Sequence, residues 1–379
     1  MIFIIKFKLF SLLLLPLALV INFLGSKFPN IVDKYYSSFI DKYTVIILSK
    51  ISGIFPFSLY EVTMYLIVFS IVLFIINLIK TLITNKGYIF ILLKNSILNI
   101  LSIVSIGYFL FIVLWGLNYN RTPLYETLIA NFNNTHNANV VIEGHTTKEL
   151  ANLYKFLINK TNETRKLVEE DKNGVMKANS NYKGIISRAQ LGYDNIIDFL
   201  PVLSGDYAKP KYVLSSKLMC YTGITGIYFP FTGEANINIE VPDLYLPSTT
   251  IHEMAHQRGF ASEDEANFIA YLGSINHPDV DFNYSGYMLA MIHTSNALYS
   301  ADYDTYVKLS KNISDEVRRD LKNNREFWKK YEGKVDDISN KFNNSYLKAN
   351  GVEEGTASYG KMVDLLLTYY SLYSSLEEE

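Results

Sequence analysis

Apolar positions are bunched at one end of this chain. Residues 9–24 (LFSLLLLPLALVINFL), 62–79 (VTMYLIVFSIVLFIINLI) and 97–117 (ILNILSIVSIGYFLFIVLWGL) are nearly uninterrupted apolar runs. Each approaches the roughly 20 residues needed to cross a bilayer. They predict three transmembrane helices, at about 5–24, 60–80 and 97–117, within a membrane region 1–118. The first run follows Lys6 and Lys8 and has no clean small-x-small cleavage site, so it is expected to remain as an anchor. Residues 25–59 are amphipathic and aromatic-rich, which suits a segment lying along the outer interface.

From Asn118 onward the pattern changes, and residues 119–379 are expected to form one polar domain. Residues 131–147 read as a solvated connector. Residues 147–170 read as a helix, with apolar positions at Leu150, Leu153, Leu157 and Val168. Residues 212–240 are rich in Thr, Ile, Tyr, Phe and Gly and predict one or two short strands, broken at Gly226 and Gly233. After Pro247 the period is helical, with helices expected near 248–258, 262–274, 283–299, 303–331, 334–347 and 359–375. The expected fold class is mostly α (α+β), with a small strand region ahead of the helix at 248–258.

Charge refines this picture. Lys6, Lys8, Lys80, Lys86 and Lys94 fall on one side of three spans, against Lys27, Lys34, Lys42 and Lys50 on the other. The positive-inside rule then favours a cytoplasmic N-terminus and an outward-facing C-terminal domain, in a multi-pass membrane protein. A net charge of −2 supplies no basic field for nucleic acid, and none is expected as a partner. The single cysteine, Cys220, excludes a disulfide framework and a cysteine-based zinc site.

The chemistry is concentrated in His252-Glu253-Met254-Ala255-His256, an HExxH sequence. Four residues are slightly more than one helical turn, so both imidazoles project from one face and suit two ligands of one Zn2+. Glu253 is then placed to serve as general base toward a metal-bound water. Gly259 is expected to stop this helix. Two carboxylates compete for the third ligand position. Ser262 and Glu265 have capping-box spacing, which gives Glu265 a structural role and favours Glu263, with Glu265 the alternative. Tyr228, Tyr359 and His293 are candidate oxyanion donors. Arg258 is expected to pair with an acidic residue and brace the site. The segment Ile227 to Ile239 is a candidate edge strand for an extended substrate.

These residues carry a resemblance. HEMAH followed by Glu263-x-x-Ala266-Asn267 resembles the gluzincin pattern, although the gap between the two motifs is shorter than in classical members. The resemblance implies Glu263 as third ligand and Asn267 as a partner of a ligand histidine. More of the chain resembles a bacterial membrane-anchored family known as domain of unknown function 3810. The stretches that carry this are Trp115 to Tyr119, Gly226 to Asn236, HEMAHQRGFASEDEANFIAYL, and Ser358-Tyr359-Gly360. That resemblance implies a zincin-like, predominantly helical outer domain with a metal site. The function expected is a zinc metallopeptidase acting on a peptide or protein at the cell envelope and held in the lipid bilayer by its N-terminal helices. The alternatives are a non-catalytic envelope-binding protein with a structural metal site, and a zinc hydrolase of a non-peptide amide.

Overall fold

The computed structural model describes residues 8–142, 144–349 and 361–373. It is mostly helical, with two small sheets, and it divides into two compact units. The first comprises Met1–Arg121 together with Phe229–Glu234, and the second Thr122–Tyr228 together with Ala235–Glu379. The division thus falls close to the change of composition near Asn118. The later piece, Phe229–Glu234, is a turn that the sequence pattern assigns to the outer domain.

The first unit contains α1 (Leu14–Lys27), a π-helix (Val32–Asp41), α2 (Lys42–Gly53), α3 (Leu59–Thr84), α4 (Ile89–Leu114) and a 3-10 turn (Gly116–Asn120). Three helical stretches are long and apolar enough to cross a membrane: Lys8–Lys27, Leu59–Thr84 and Lys86–Leu114. The third begins well before the predicted 97. Lys94 and Asn95 interrupt the apolar run, but neither breaks a helix. Large apolar side chains of this unit mostly point outward, and apart from a few such as Leu92, Ile112 and Trp115 the groups it buries are small or polar. Ser105 Oγ donates to Ser11 O (2.7 Å) and accepts from Leu15 N (2.9 Å), joining α4 to the first helix. A Cβ on Gly25 would lie 2.8 Å from Leu117 Cδ2, so glycine lets α1 and the 3-10 turn approach closely.

Asn118 explains part of the Trp115 to Tyr119 motif. Its amide donates to Asp41 Oδ2 (3.0 Å) and accepts from Ser37 Oγ (2.7 Å), tying the 3-10 turn to the π-helix. Arg121 pairs with Asp33 at 2.9 Å. The Phe229–Glu234 turn contributes a carboxylate to the same unit. Glu234, 3% exposed, accepts from Leu59 N (3.3 Å), Tyr60 N (3.0 Å) and Thr232 Oγ1 (3.0 Å). It meets free N–H groups at the start of α3, where a negative charge is favourable.

The second unit opens with α5 (Leu124–His136) and α6 (Thr147–Arg165), followed by a two-residue hairpin of β1 (Glu169–Glu170) and β2 (Met176–Lys177). The first six residues of the stretch expected as connector, 131–136, are therefore part of helix α5. Its apolar face buries Leu124 and Leu128, and the coil begins only after Asn137 adopts a left-handed conformation. Thr146 and Glu149 form a reciprocal capping box at the start of α6. Short helices α7 (Tyr182–Arg188) and α8 (Gln190–Asp194) lead to β3 (Lys211–Val213), α9 (Ser216–Cys220), β4 (Gly226–Phe229) and β5 (Glu234–Asn238). The sheet order is β3-β5-β4, with β3 parallel to β5 in the register Lys211–Asn236 to Val213–Asn238. Gly226 begins β4 and is not a break within it. Gly233, at φ +66°, makes the turn between β4 and β5.

The remaining helices are α10 (Leu246–Gln257), α11 (Glu263–Ile275), α12 (Val280–Ala301), α13 (Tyr303–Ser310), α14 (Asp315–Lys329), α15 (Lys334–Ala349) and α16 (Met362–Tyr373). The single helix expected over 303–331 is two, because Ser314 caps a fresh start by accepting from Val317 N. The core gathers Leu153, Leu157, Ile185, Ile251, Phe268, Phe282 and Met288 around the α10–α11 pair. A buried ion pair lies among them. Arg165 Nε donates to Asp320 Oδ2 (2.5 Å), and Asp320 also accepts from Tyr284 OH (2.6 Å) and Met176 N (2.9 Å).

Candidate metal centre

Helix α10 starts with Pro247 in its first turn, where the missing N–H is harmless, and ends where Gly259 takes φ +82°. That turn sends the chain into α11 within a few residues, so Glu263 in the first turn of α11 faces the histidine side of α10. His252 Nε2 lies 3.2 Å from Glu263 Oε2, and His256 Nε2 lies 3.7 Å from Glu263 Oε1. One donor atom from each of His252, His256 and Glu263 can be chosen so that all lie within 4.8 Å of one another. This is the one such His/Cys/Asp/Glu group found among the described residues.

The donor chemistry fits zinc. Two imidazole nitrogens and one carboxylate are donor types that zinc takes. His256 Nδ1 is 2.7 Å from Phe260 O. A carbonyl only accepts, so Nδ1 carries a proton and Nε2 is the nitrogen that faces the cluster. The polarity of the cluster points the same way. Burial, the largest influence on His256, disfavours its charged form, yet the Glu263 carboxylate carries its pKa up to about 9. Burial also works against the Glu263 carboxylate, and the two histidines more than reverse it, holding its pKa well below the usual range. Positive charge between these three side chains is therefore favoured.

Glu253 stands beside them. It is 4% exposed, and burial pushes its pKa up to about 7. Its Oε2 is buried without a hydrogen-bond partner. The backbone of β4 lies directly against it, since a Cβ on Gly226 would come within 2.5 Å of Glu253 Oε1 and Cγ. This close approach gives Gly226 a role that its appearance as a strand breaker concealed. Tyr228 follows two residues later on the same edge strand and is buried.

The remaining candidates are placed differently. Glu265 is turned to another task, accepting from Leu124 N at 2.7 Å. The expected capping box is absent, because the Ser262 side chain makes no cap bond. Asp264 Oδ1 instead receives Met362 N (3.0 Å), tying α16 to the start of α11. Asn267 is buried, but no hydrogen bond joins it to a ligand histidine. His256 uses Phe260 O, and His252 Nδ1 is buried without a partner. His293 is half-buried on α12 and lies outside the cluster of metal-capable donors. Tyr359 falls outside the described residues.

Arg258 has no acidic hydrogen-bonding partner among the described residues. It donates to Leu203 O (3.0 Å), Met254 O (3.0 Å) and Gln190 Oε1 (2.9 Å). Its guanidinium lies 3.8 Å from the ring centre of Tyr193 and 4.7 Å from that of Tyr207. These partners lie 51 or more residues upstream, apart from Met254, and no local motif announces them.

Three apolar N-terminal helices followed by a helical unit with a His/His/Glu cluster define the class of protein. Residues 36–367 match the family described as Protein of unknown function (DUF3810), and the chain belongs to that family. No curated protein and no solved structure matches it.

Proposed function

We propose that this chain is a membrane-anchored zinc metallopeptidase whose second unit faces away from the cytoplasm and cleaves a peptide or protein at the cell envelope. The observation that carries the reading is the partnerless, buried Glu253 Oε2 beside three converging donors. His252, His256 and Glu263 would hold the metal, and the bond of Glu265 to Leu124 N favours Glu263 over it as third ligand. A bound zinc ion lowers the pKa of a water in an open fourth position and polarises a carbonyl. Glu253 supplies the base, taking a proton on Oε2 and returning it to the leaving amine. A metal held only for structure normally has four protein ligands and needs no adjacent buried carboxylate, which favours the hydrolytic reading. The Lys6, Lys8, Lys80, Lys86 and Lys94 distribution supports the orientation.

The test is metal content and hydrolysis by the full chain in detergent. About one zinc per chain is expected in wild type and in Glu253→Gln, with loss in His256→Ala. Against a peptide library, Glu253→Gln is expected to lower turnover by about 100-fold or more. A folded wild type without metal, or a Glu253→Gln variant with full turnover, would overturn the proposal.

A further inference from the structure

The side of α10 away from the donor atoms is held by an unusual buried cation. Arg258 is 4% exposed, and each of its three acceptors is neutral. Tyr193 and Tyr207 offer their ring faces to the guanidinium. An isolated buried charge is costly, and planar stacking combined with several in-plane donors is a combination that arginine supplies and lysine does not. Tyr193 is fully buried and donates its hydroxyl to Ile251 O at 2.7 Å. The two side chains therefore grip the carbonyls of Ile251 and Met254, which bracket His252 and Glu253 in the chain.

Helix α8, which carries Tyr193, also fixes α11. A Cβ on Gly192 would fall 2.5 Å from Gly273 O and 3.1 Å from Ile251 Cδ1. At that point α8 touches the backbone of the helix bearing Glu263 and the residue preceding His252. One short element is thus keyed to both helices that present the donors.

We propose that Arg258 and Tyr193 are positioning residues that set the turn Ile251–Met254 so that His252, Glu253 and His256 meet Glu263. The inference rests on the metal-site reading above. It separates from a plain stability role because a loss of packing or hydrogen bonding that left the turn in place would not change the affinity or the coordination spectrum of a bound metal ion. Arg258→Met is the first variant. Tyr193→Phe is the second, keeping the ring under Arg258 and removing only the bond to Ile251 O.

Both are read in the full chain in detergent by Co2+ affinity, by the visible absorption of bound Co2+, and by amide hydrogen exchange over residues 251–256. With the far-UV circular dichroism preserved, Arg258→Met is expected to weaken Co2+ binding by about 10- to 100-fold, the range for losing a group that orients a metal ligand. It is also expected to alter the Co2+ spectrum and speed exchange at 251–256, with smaller changes of the same sign in Tyr193→Phe. A folded Arg258→Met with wild-type affinity, spectrum and exchange overturns the proposal. If Arg258→Met does not fold, an unchanged Tyr193→Phe overturns it. If the wild type takes up no Co2+, the metal reading has failed, and exchange alone then judges the brace, which unchanged rates would refute.

Discussion

The two units of this protein solve the burial problem in opposite ways. In the second, Leu157, Ile251, Phe268 and Phe282 are fully buried, and polar side chains inside are joined in networks such as Arg165–Asp320–Tyr284. In the first, Leu66, Phe69, Ile103 and Val104 are more than half exposed, while Ser11, Ser37, Asp41, Ser105 and Asn118 are inside. Water drives the first pattern, through removal of apolar surface. In lipid that drive between helices is gone, and small residues and hydrogen bonds hold the helices together. The same chain therefore needs two rules for deciding which side chain matters.

Substitutions can break or sharpen this contrast. The largest effect is expected from Asp320→Ala, which takes the buried one of two carboxylates, Asp320 and Glu170, from fully buried Arg165 and removes the acceptor for Tyr284 and Met176 N. Loss of about 3–5 kcal/mol from the second unit is expected in chemical denaturation. Next comes one substitution made in both units. Leu157→Ala should cost about 2–5 kcal/mol by leaving a cavity in a close-packed core, whereas Leu66→Ala on the outer face of α3 should change detergent-solubilised stability by less than about 1 kcal/mol. Comparable losses from the two would contradict the inside-out reading.

The third concerns Asp41, outside the three apolar spans, whose pKa burial raises from 3.8 to about 7 despite the opposing effects of Asn118, Arg121 and Tyr36. A raised carboxyl pKa favours folding in the protonated form. That stability is complete below about pH 4 and fades as pH rises through about 7, by about 1.4 kcal/mol per unit in between. Thermal melts of the first unit across that window should show the decline in wild type and a flatter profile in Asp41→Asn. The smallest effect is expected for Ser105→Ala, which loses the bonds to Ser11 O and Leu15 N. About 0.6 kcal/mol is the scale for a hydrogen bond between membrane helices.

The apolar spans were legible because lipid demands length and apolarity within one continuous segment, and α3 differs from its expected limits by only a few residues. Helix α10 was equally legible, since Pro247 and Gly259 act locally through missing donors and positive φ. The different placements of Glu263 and Glu265 have a cause that the chain does not display. Ser262 makes no cap bond, and what turns Glu265 away is Leu124 N, 141 residues upstream in sequence. Gly226 and Arg258 were partly hidden for the same reason. Their roles depend on side chains and carbonyls brought in by tertiary packing, and neither residue carries a local pattern that names its neighbour.

The Glu234 carboxylate has a consequence for biogenesis. Its partner at Leu59 N lies 175 residues earlier in the chain. At about 5–20 residues per second, the start of α3 waits on the order of ten seconds or more for its acidic cap to emerge from the ribosome. The first unit can therefore insert its helices early but completes its own hydrogen bonding only after Thr122–Tyr228 of the second has been made.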